Sequence, residues 1–523
     1  MPVGKTLLLA ILLLSSIFSG CTFLRQTHFT LLSVVVDDDV GFPRMSVQFN
    51  TSDIAVLTLT SPAGSVLFTE TYYAGIHNES IYFSGYRTTI LPGIYRLEAV
   101  DSSKQTIFEN KVSYLGDNLS LTSLSVDGWS KKTSSPIVTL HLNLVNSGDL
   151  PAYPHRLTVM QGSSAEEVLL LPTVVLPFST QQITCFVPLL DPSPETNQLR
   201  ISLFDSSGTV RFQSNHTVMK RNQLTSWEYT WYYLGTHTLK IPQVDWFSDY
   251  YKSLDRFDLI DYAAYVFDPY DDRYIQFLVD QILLLKDVKT DVEKINFVAS
   301  FVQSIEYKND DPENESYEYP RYPLETLYDK QGDCEDKAIL TAALLENLGY
   351  NVSLLRLPQH MAVGVHLNET IPLYSYYIDK YYFLETTTLH MTLGKVPPEY
   401  AGLTNISVYP VSSRPLLLHL WKNATRFTVS NGDDYVSVQM ILENLGRENS
   451  ANIEVRGAFY DNMSRIYNQE ITMISPLAAG EKRLVKLSVD VPTTVGEQGT
   501  TLKTQLYING VMVNSRESTS RFP

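Results

Sequence analysis

Three short stretches of this 523-residue chain carry side chains able to do covalent chemistry. The first is Gln331-Gly332-Asp333-Cys334-Glu335-Asp336. Gly332 allows a tight turn, and Cys334 then falls on the first turn of the helix that follows. Unpaired backbone N–H groups and the helix dipole favour an anion there, which lowers a thiol pKa and yields the nucleophilic thiolate. The neighbouring carboxylates push the other way, so activation calls for a nearby imidazolium. The second stretch is Leu357-Pro358-Gln359-His360-Met361-Ala362-Val363-Gly364-Val365-His366, in which His360 opens a strand. The third is Tyr381-Tyr382-Phe383-Leu384-Glu385-Thr386-Thr387, preceded by a turn at Asp379-Lys380. A catalytic base needs a third group to orient it, and Glu385 within a strand suits that better than Asp379 at a turn. A second pair competes: the antiparallel register that sets His360 against Glu385 also sets His366 against Asp379. The two histidines share a strand face roughly 20 Å apart. Only one of them reaches Cys334, and spacing alone leaves both pairs open.

The elements that must position these residues fall within 222–407. Asp271 is placed to cap a helix carrying Tyr274, Phe277, Leu278, Ile282 and Leu285. Thr290 and Glu293 form a capping box ahead of Ile295, Val298, Phe301, Val302 and Ile305. A third helix is expected from Cys334 to Leu348, with Gly349 as its C-terminal stop. Strands are expected at Asn351–Leu357, Met361–Leu367, Tyr374–Ile378 and Tyr381–Thr387. Helices first and strands afterwards read as an α+β unit. The aromatic run Trp227, Tyr229, Trp231, Tyr232 and Tyr233 reads as a strand packing at a domain junction.

The rest of the chain lacks helical periodicity. Short alternating runs broken by Gly, Pro, Asn and Asp predict β-sandwiches at 30–120, 121–220 and 408–523. The run Val138 to Gly148, ending Asn146-Ser147-Gly148, is echoed by Val436 to Gly446, ending Asn444-Leu445-Gly446. Both segments resemble immunoglobulin-like surface modules.

The chain carries 40 Lys plus Arg against 57 Asp plus Glu, a net −17. That balance argues against a nucleic-acid partner and against a polybasic membrane patch. Residues 245–318 alone hold 18 acidic and 7 basic residues. Clusters such as Asp268-Pro269-Tyr270-Asp271-Asp272 and Asp310-Asp311 lack the alternating spacing of an EF-hand loop and read as a solvated face and helix caps. No His-x-x-x-His or Cys-x-x-Cys pair occurs, so the sequence assigns no metal and no cofactor.

Gly-Asp-Cys-Glu-Asp at 332–336, His-Met-Ala-Val-Gly-Val at 360–365 and Tyr-Phe-Leu-Glu-Thr-Thr at 382–387 together resemble the transglutaminase-like superfamily. The resemblance covers about a third of the chain. It implies an α+β, papain-like core in which Cys334 is the nucleophile, His360 the general base and acid, and Glu385 the orienting carboxylate. Glu385 departs from the Asp usual in the family. The oxyanion donor stays open between Tyr328, Gln331 and the backbone N–H of Cys334.

Lys5, the apolar run Leu7 to Phe18 and the ending Ser19-Gly20-Cys21 read as a signal peptide over 1–20 with a lipobox, Cys21 being the lipidated residue. The run is short of the roughly 20 residues a spanning helix needs. Ten Asn-x-Ser/Thr sequons fit an exported chain. The expectation is an archaeal surface lipoprotein: a multidomain chain, with an α+β transglutaminase-like domain at 222–407 flanked by immunoglobulin-like sandwiches. It would be held at the outer face of the membrane by lipid and act on a protein or peptide. The three cysteines then divide into anchor (Cys21), buried core (Cys185) and nucleophile (Cys334). A non-catalytic adhesion or scaffold lipoprotein is the alternative.

Overall fold

The computed structural model describes residues 29–522 except 84, 130–136, 163, 190–197, 219–220, 258, 260, 311–317, 412–413, 429–433 and 494–498. The signal peptide and Cys21 lie outside the described residues. The chain divides into two compact units, one from residues up to 35, 46–81 and 94–113, the other from 36–45, 82–93 and 114 onward.

The first unit carries a four-stranded sheet in the order Val66–Tyr72, Ala55–Thr60, Gly93–Asp101, Thr106–Tyr114. Its pattern is the one read from sequence: Ala55, Leu57 and Leu59 are fully buried while Val56, Thr58 and Thr60 are half-buried.

The second unit contains two β modules and the helical region. In one module, the sheet of Ser179–Leu189, Ile137–Asn146, Leu119–Gly128 and Arg221–Gln223 accompanies the sheet of Ser164–Leu169, Arg156–Gln161, Gln198–Phe204 and Val210–Thr217. Leu140, Leu142 and Leu144 from the first sheet share a core with Leu157, Val159 and Ile201 from the second. Cys185 sits in that core, and burial pushes its thiol up to about 12. The C-terminal module repeats the plan, with Leu417–Phe427, Tyr435–Asn444 and Lys482–Asp490 in one sheet and Ile466–Ile474, Ile453–Tyr460, Thr501–Ile508 and Val511–Glu517 in the other.

The two Asn-x-Gly echoes form the same local structure. Asn146 donates to the carbonyls of Leu150 and Val175 and accepts from the N–H groups of Asn118 and Gly148. Asn444 donates to the carbonyls of Glu448 and Leu477 and accepts from Leu416 and Gly446. The glycine is required at both turns: a Cβ on Gly148 would lie 2.1 Å from the Gly116 carbonyl oxygen, and one on Gly446 2.1 Å from that of Arg414.

Between these modules, six α-helices are found among the described residues: α1 (Asp245–Lys252), α2 (Ala263–Val266), α3 (Asp272–Leu283), α4 (Asp291–Gln303), α5 (Pro323–Asp329) and α6 (Cys334–Asn347). The capping box of α4 is formed: Thr290 Oγ1 accepts the Glu293 N–H at 3.2 Å, and Glu293 Oε2 accepts that of Thr290 at 3.2 Å. Helix α6 is buried on every side, as a helix enclosed by α3, α4, α5 and a sheet must be. Gly349 ends it with φ +84°. The covering sheet runs Tyr382–Leu384, His360–His366, Asn351–Leu357, Ser407–Pro410. Residues 407–410 thus belong to this sheet.

The aromatic strand Ser226–Tyr232 buries Trp227, Tyr229 and Trp231 and leaves Tyr232 exposed. It packs on the helices: the Tyr229 hydroxyl donates to the Leu327 carbonyl at 2.6 Å, and Trp231 Nε1 to Ser300 Oγ at 3.0 Å. Three sequence expectations need correction. Tyr374–Ile378 is not a strand; only Ile378 bridges, to Tyr381, around the expected turn. The strand expected over 381–387 ends at Leu384, so Glu385 lies just beyond it. Asp271 takes the N-cap position of α3 without a capping bond from its side chain and is buried, so the acids of this region are not simply a solvated face.

Candidate functional site

Cys334 is the first residue of α6, set there by a local knot of polar bonds. Asp333 is the N-cap, and Asp336 accepts its N–H at 3.3 Å, forming a capping box. Asp336 also accepts the Arg321 N–H at 2.7 Å and pairs with the Arg321 guanidinium. Gly332 makes room for this, because a Cβ there would stand 2.7 Å from the Asp336 Cβ.

His360 starts its strand straight after a two-residue turn, Pro358-Gln359, in which Gln359 takes φ +57°. Its Nε2 lies 3.1 Å from Glu385 Oε2, with both side chains nearly out of solvent. Tyr400 stacks flat on the imidazole, centroids 4.7 Å apart at 3°. Glu385 Oε1 accepts from the N–H of Thr386 at 3.1 Å, the N–H of Thr387 at 2.8 Å and Thr387 Oγ1 at 2.6 Å. Burial alone would raise the Glu385 pKa. The His360 bond and the Thr387 donors reverse that and hold it at about 2.

The competing histidine pair is separated. The strands meet with Val365 opposite Tyr382 and Val363 opposite Leu384, two residues out from the register that would set His360 against Glu385. His366 therefore neighbours Tyr381, ring centroids 6.5 Å apart, instead of Asp379. Glu385 reaches His360 from beyond the strand end.

Cys334 and His360 line one open cavity of about 440 Å³, with Tyr262, Tyr307, Asp310 and Glu335 on its walls. The thiol hydrogen bonds to Glu335 Oε2 at 3.2 Å, and the Met361 backbone N–H points at the sulfur. No hydrogen bond joins Cys334 to His360 among the described residues. Burial, then the carboxylates of Glu335 and Asp333, push the thiol pKa up, against the Met361 backbone N–H, which pulls it down. Glu335 is itself pushed up by burial and by the Asp333 carboxyl, and Asp333 by burial, against its hydrogen bond to Glu335, which pulls it down. Of the oxyanion candidates, Gln331 accepts from Lys308 Nζ at 3.3 Å and Tyr328 packs on Trp227, centroids 5.5 Å apart. Neither lines the cavity, and the first-turn N–H of Cys334 remains.

Sequence reasoning missed the support behind Glu385. Gln303 Nε2 donates to the backbone carbonyls of Glu385 and Met391, each at 2.9 Å. Lys337, fully buried in α6, donates to the carbonyls of Gln303 at 3.2 Å and Ile305 at 2.7 Å, and burial brings its pKa down to about 8. The available signal was position: Lys337 interrupts an apolar helix three residues after the cysteine.

Residues 279–391 match a family model described as a transglutaminase-like domain. No curated protein matches the chain. Among solved structures, the exo-chitosanase CsxA of Amycolatopsis orientalis is similar at 12% identity over 35% of this chain and 26% of its own, TM-score 0.14. The CupB2 chaperone of Pseudomonas aeruginosa is similar at 11% identity over 34% of this chain and 92% of its own, TM-score 0.12. The YadV chaperone is similar at 12% identity over 36% of this chain and 100% of its own, TM-score 0.14. The chain thus spans about a quarter of the length of the exo-chitosanase it matches. Likenesses this slight do not bear on the site.

Proposed function

We propose that the chain is a surface-anchored thiol acyl-transfer enzyme using Cys334, His360 and Glu385, tethered through lipid on Cys21 and acting on a protein or peptide. The observation that carries the reading is the buried His360–Glu385 pair opening onto the cavity that Cys334 lines. The transglutaminase-like match at 279–391 spans all three residues and supports the same chemistry. For turnover the thiol leaves Glu335 and turns to His360. His360 Nδ1 takes the thiol proton as sulfur bonds to the carbonyl carbon, and the Cys334 N–H receives the developing oxyanion. The imidazolium, steadied by ionised Glu385, gives that proton to the departing nitrogen as the C–N bond breaks. Water or an amine then attacks the thioester, loses its proton to His360, and the thiol is restored. The test is iodoacetamide labelling of the full chain. Cys334 is expected to react well ahead of Cys185, and His360→Ala to slow it at least tenfold. Equal, slow labelling of both thiols, or a rate indifferent to His360→Ala, counts against the reading.

One observation favours a second reading. The thiol's hydrogen bond goes to Glu335, not to the imidazole. In a non-catalytic adhesion or scaffold protein the cavity would bind without turnover. Partner capture unchanged in Cys334→Ser, with no cleavage of any peptide offered, would select it.

A further inference from the structure

Among the described residues the His360 imidazole is held by one hydrogen bond and one ring. The bond, to Glu385, fixes where Nε2 lies. It leaves the plane of the imidazole to χ2, which is a soft torsion in histidine. Tyr400 supplies the missing restraint, lying flat on the imidazole with centroids 4.7 Å apart and planes 3° from parallel. Sheet topology puts it there. The chain leaves Tyr382–Leu384 on one sheet edge and rejoins the sheet at Ser407–Pro410 on the other, so residues 385–406 must cross the two middle strands. Both outer strands run antiparallel to their neighbours, which sets the crossing at the end where the Leu357–His360 hairpin turns. The crossing segment is fastened in place. The Gly394 N–H donates to the Phe383 carbonyl at 2.8 Å, and the Tyr377 hydroxyl to the Tyr400 carbonyl at 2.7 Å. Pro397 and Pro398 have restricted φ angles leading into the 3₁₀ turn Pro398–Tyr400. Tyr400 also packs, with Tyr377, on a small core that includes Leu357 and Phe383. Its hydroxyl has no hydrogen-bond partner among the described residues, so the ring is what it offers His360.

We propose that Tyr400 is a positioning residue for His360, setting the plane of the imidazole and stabilising the imidazolium formed when the Cys334 proton moves to it. This role rests on the acyl-transfer reading and extends it to a residue beyond the 279–391 match. The face of a tyrosine ring is negative and attracts a cation laid on it more than a neutral ring. The stack therefore favours the pair in which sulfur has lost its proton and the imidazole has gained it. That transfer makes one N–H bond and breaks one S–H bond, and needs no other reactant. A phenylalanine keeps the aromatic face, whereas a leucine fills the volume without one.

The experiment follows iodoacetamide labelling of Cys334 in the full chain as pH is raised. In Tyr400→Leu the rate at pH 7 is expected to fall about two- to thirtyfold, the range spanned by exposed and desolvated cation–π contacts, and half-maximal labelling to move to higher pH. Tyr400→Phe should keep the parent's rate and profile. Circular dichroism checks the fold of each variant, and a merely structural side chain would lower the melting temperature without moving the pH profile. A second readout is independent of the chemistry: the His360 ring-proton NMR signal in histidine-labelled protein, assigned with His360→Gln. It should be displaced in Tyr400→Leu and unchanged in Tyr400→Phe. Fast, His360-dependent labelling of the parent with the same pH profile in Tyr400→Leu overturns this role alone. Tyr400→Phe as slow as Tyr400→Leu also overturns it, since the hydroxyl would then carry the effect. Slow labelling of the parent that ignores His360→Ala instead sinks the acyl-transfer reading, and the imidazolium role with it.

Discussion

Glu385 stays ionised in a place where burial works against it, and the reason is local. Its Oε2 faces His360, and its Oε1 is caught by the Thr386-Thr387 turn, whose donors are set by the residues that follow it in the chain. The extra methylene of Glu over Asp lets the carboxylate reach back to His360 from beyond the strand end while the turn fixes it. Thr387→Val keeps the shape and removes the 2.6 Å hydroxyl donor. A hydrogen bond to a charged group contributes about 1.5–3 kcal/mol, so a loss near that size is expected in urea unfolding at pH 7. The acid range gives an independent readout. The folded pKa of about 2 lies below the ordinary glutamate value of 4.5, so between those values the unfolded chain binds the extra proton. The contribution of Glu385 is therefore complete above pH 4.5 and disappears as pH falls toward 2. Thr387→Val raises the folded value, so its stability should fall less steeply than the parent's across that window. Parallel slopes for the two proteins would show that the hydroxyl does not stabilise the charge.

At the scale of elements, the paired asparagines show how two β modules fasten a turn without a disulfide. Each side chain fills a gap where backbone groups point inward, and each is fully buried. Asn444→Ala leaves the Leu416 and Gly446 N–H groups and the Glu448 and Leu477 carbonyls without that partner. At about 1–3 kcal/mol for an unsatisfied buried group, a loss of several kcal/mol is expected for the C-terminal module, with Asn146→Ala doing the same to its counterpart. A loss below 1 kcal/mol in either would mean the turn is held by other contacts. Both turns were visible in the sequence because a repeated Asn-x-Gly between strands has one economical structure. The Thr290 capping box, the Cys334 helix with its Gly349 stop and the Asn351–Leu357 strand were legible for the same reason: the signal is local. What escaped depends on residues far apart in sequence. The two-residue register offset is set by packing of Tyr382–Leu384 on its neighbour, which period-2 patterning cannot report because an even shift leaves every side chain on its face. The burial of Lys337, Asp271 and Glu335 is set by the elements folded over them. From charge alone the acidic run around Asp271 reads as a solvated face. The opposing carboxylates at Cys334 were legible because they adjoin it in the chain, whereas the depth of its burial, the larger cause of its raised pKa, was not.

Over the whole second unit, the module seams carry both charge and aromatic contacts. Arg447 of the C-terminal module pairs with Glu346 of α6, Arg414 meets Asp261 at 2.7 Å, and Arg273 of α3 pairs with Glu166 of the preceding β module. Part of the acidity concentrated in the helical region therefore meets arginines at the seams, in pairs still partly open to solvent that each contribute little. The aromatic seam is the stronger tie. Phe186 belongs to the Ser179–Leu189 strand, yet its ring lies 4.9 Å from Tyr274 and 5.6 Å from Phe277, both of α3. Trp129 and Val138 of the same β module join it in the helical core. Its neighbour Cys185 points into the other core, so one strand serves two hydrophobic interiors on its two faces. Phe186→Ala removes a large ring from the seam at a cost of about 3–5 kcal/mol. If the seam couples the modules, helix loss followed by circular dichroism and exposure of Cys185 to a thiol reagent should shift down together on heating. The modules would be thermally independent if Cys185 stayed protected to the parent's temperature while the helical signal melted early. The coupled outcome follows from the strand itself, because it cannot leave one interior without uncovering the other.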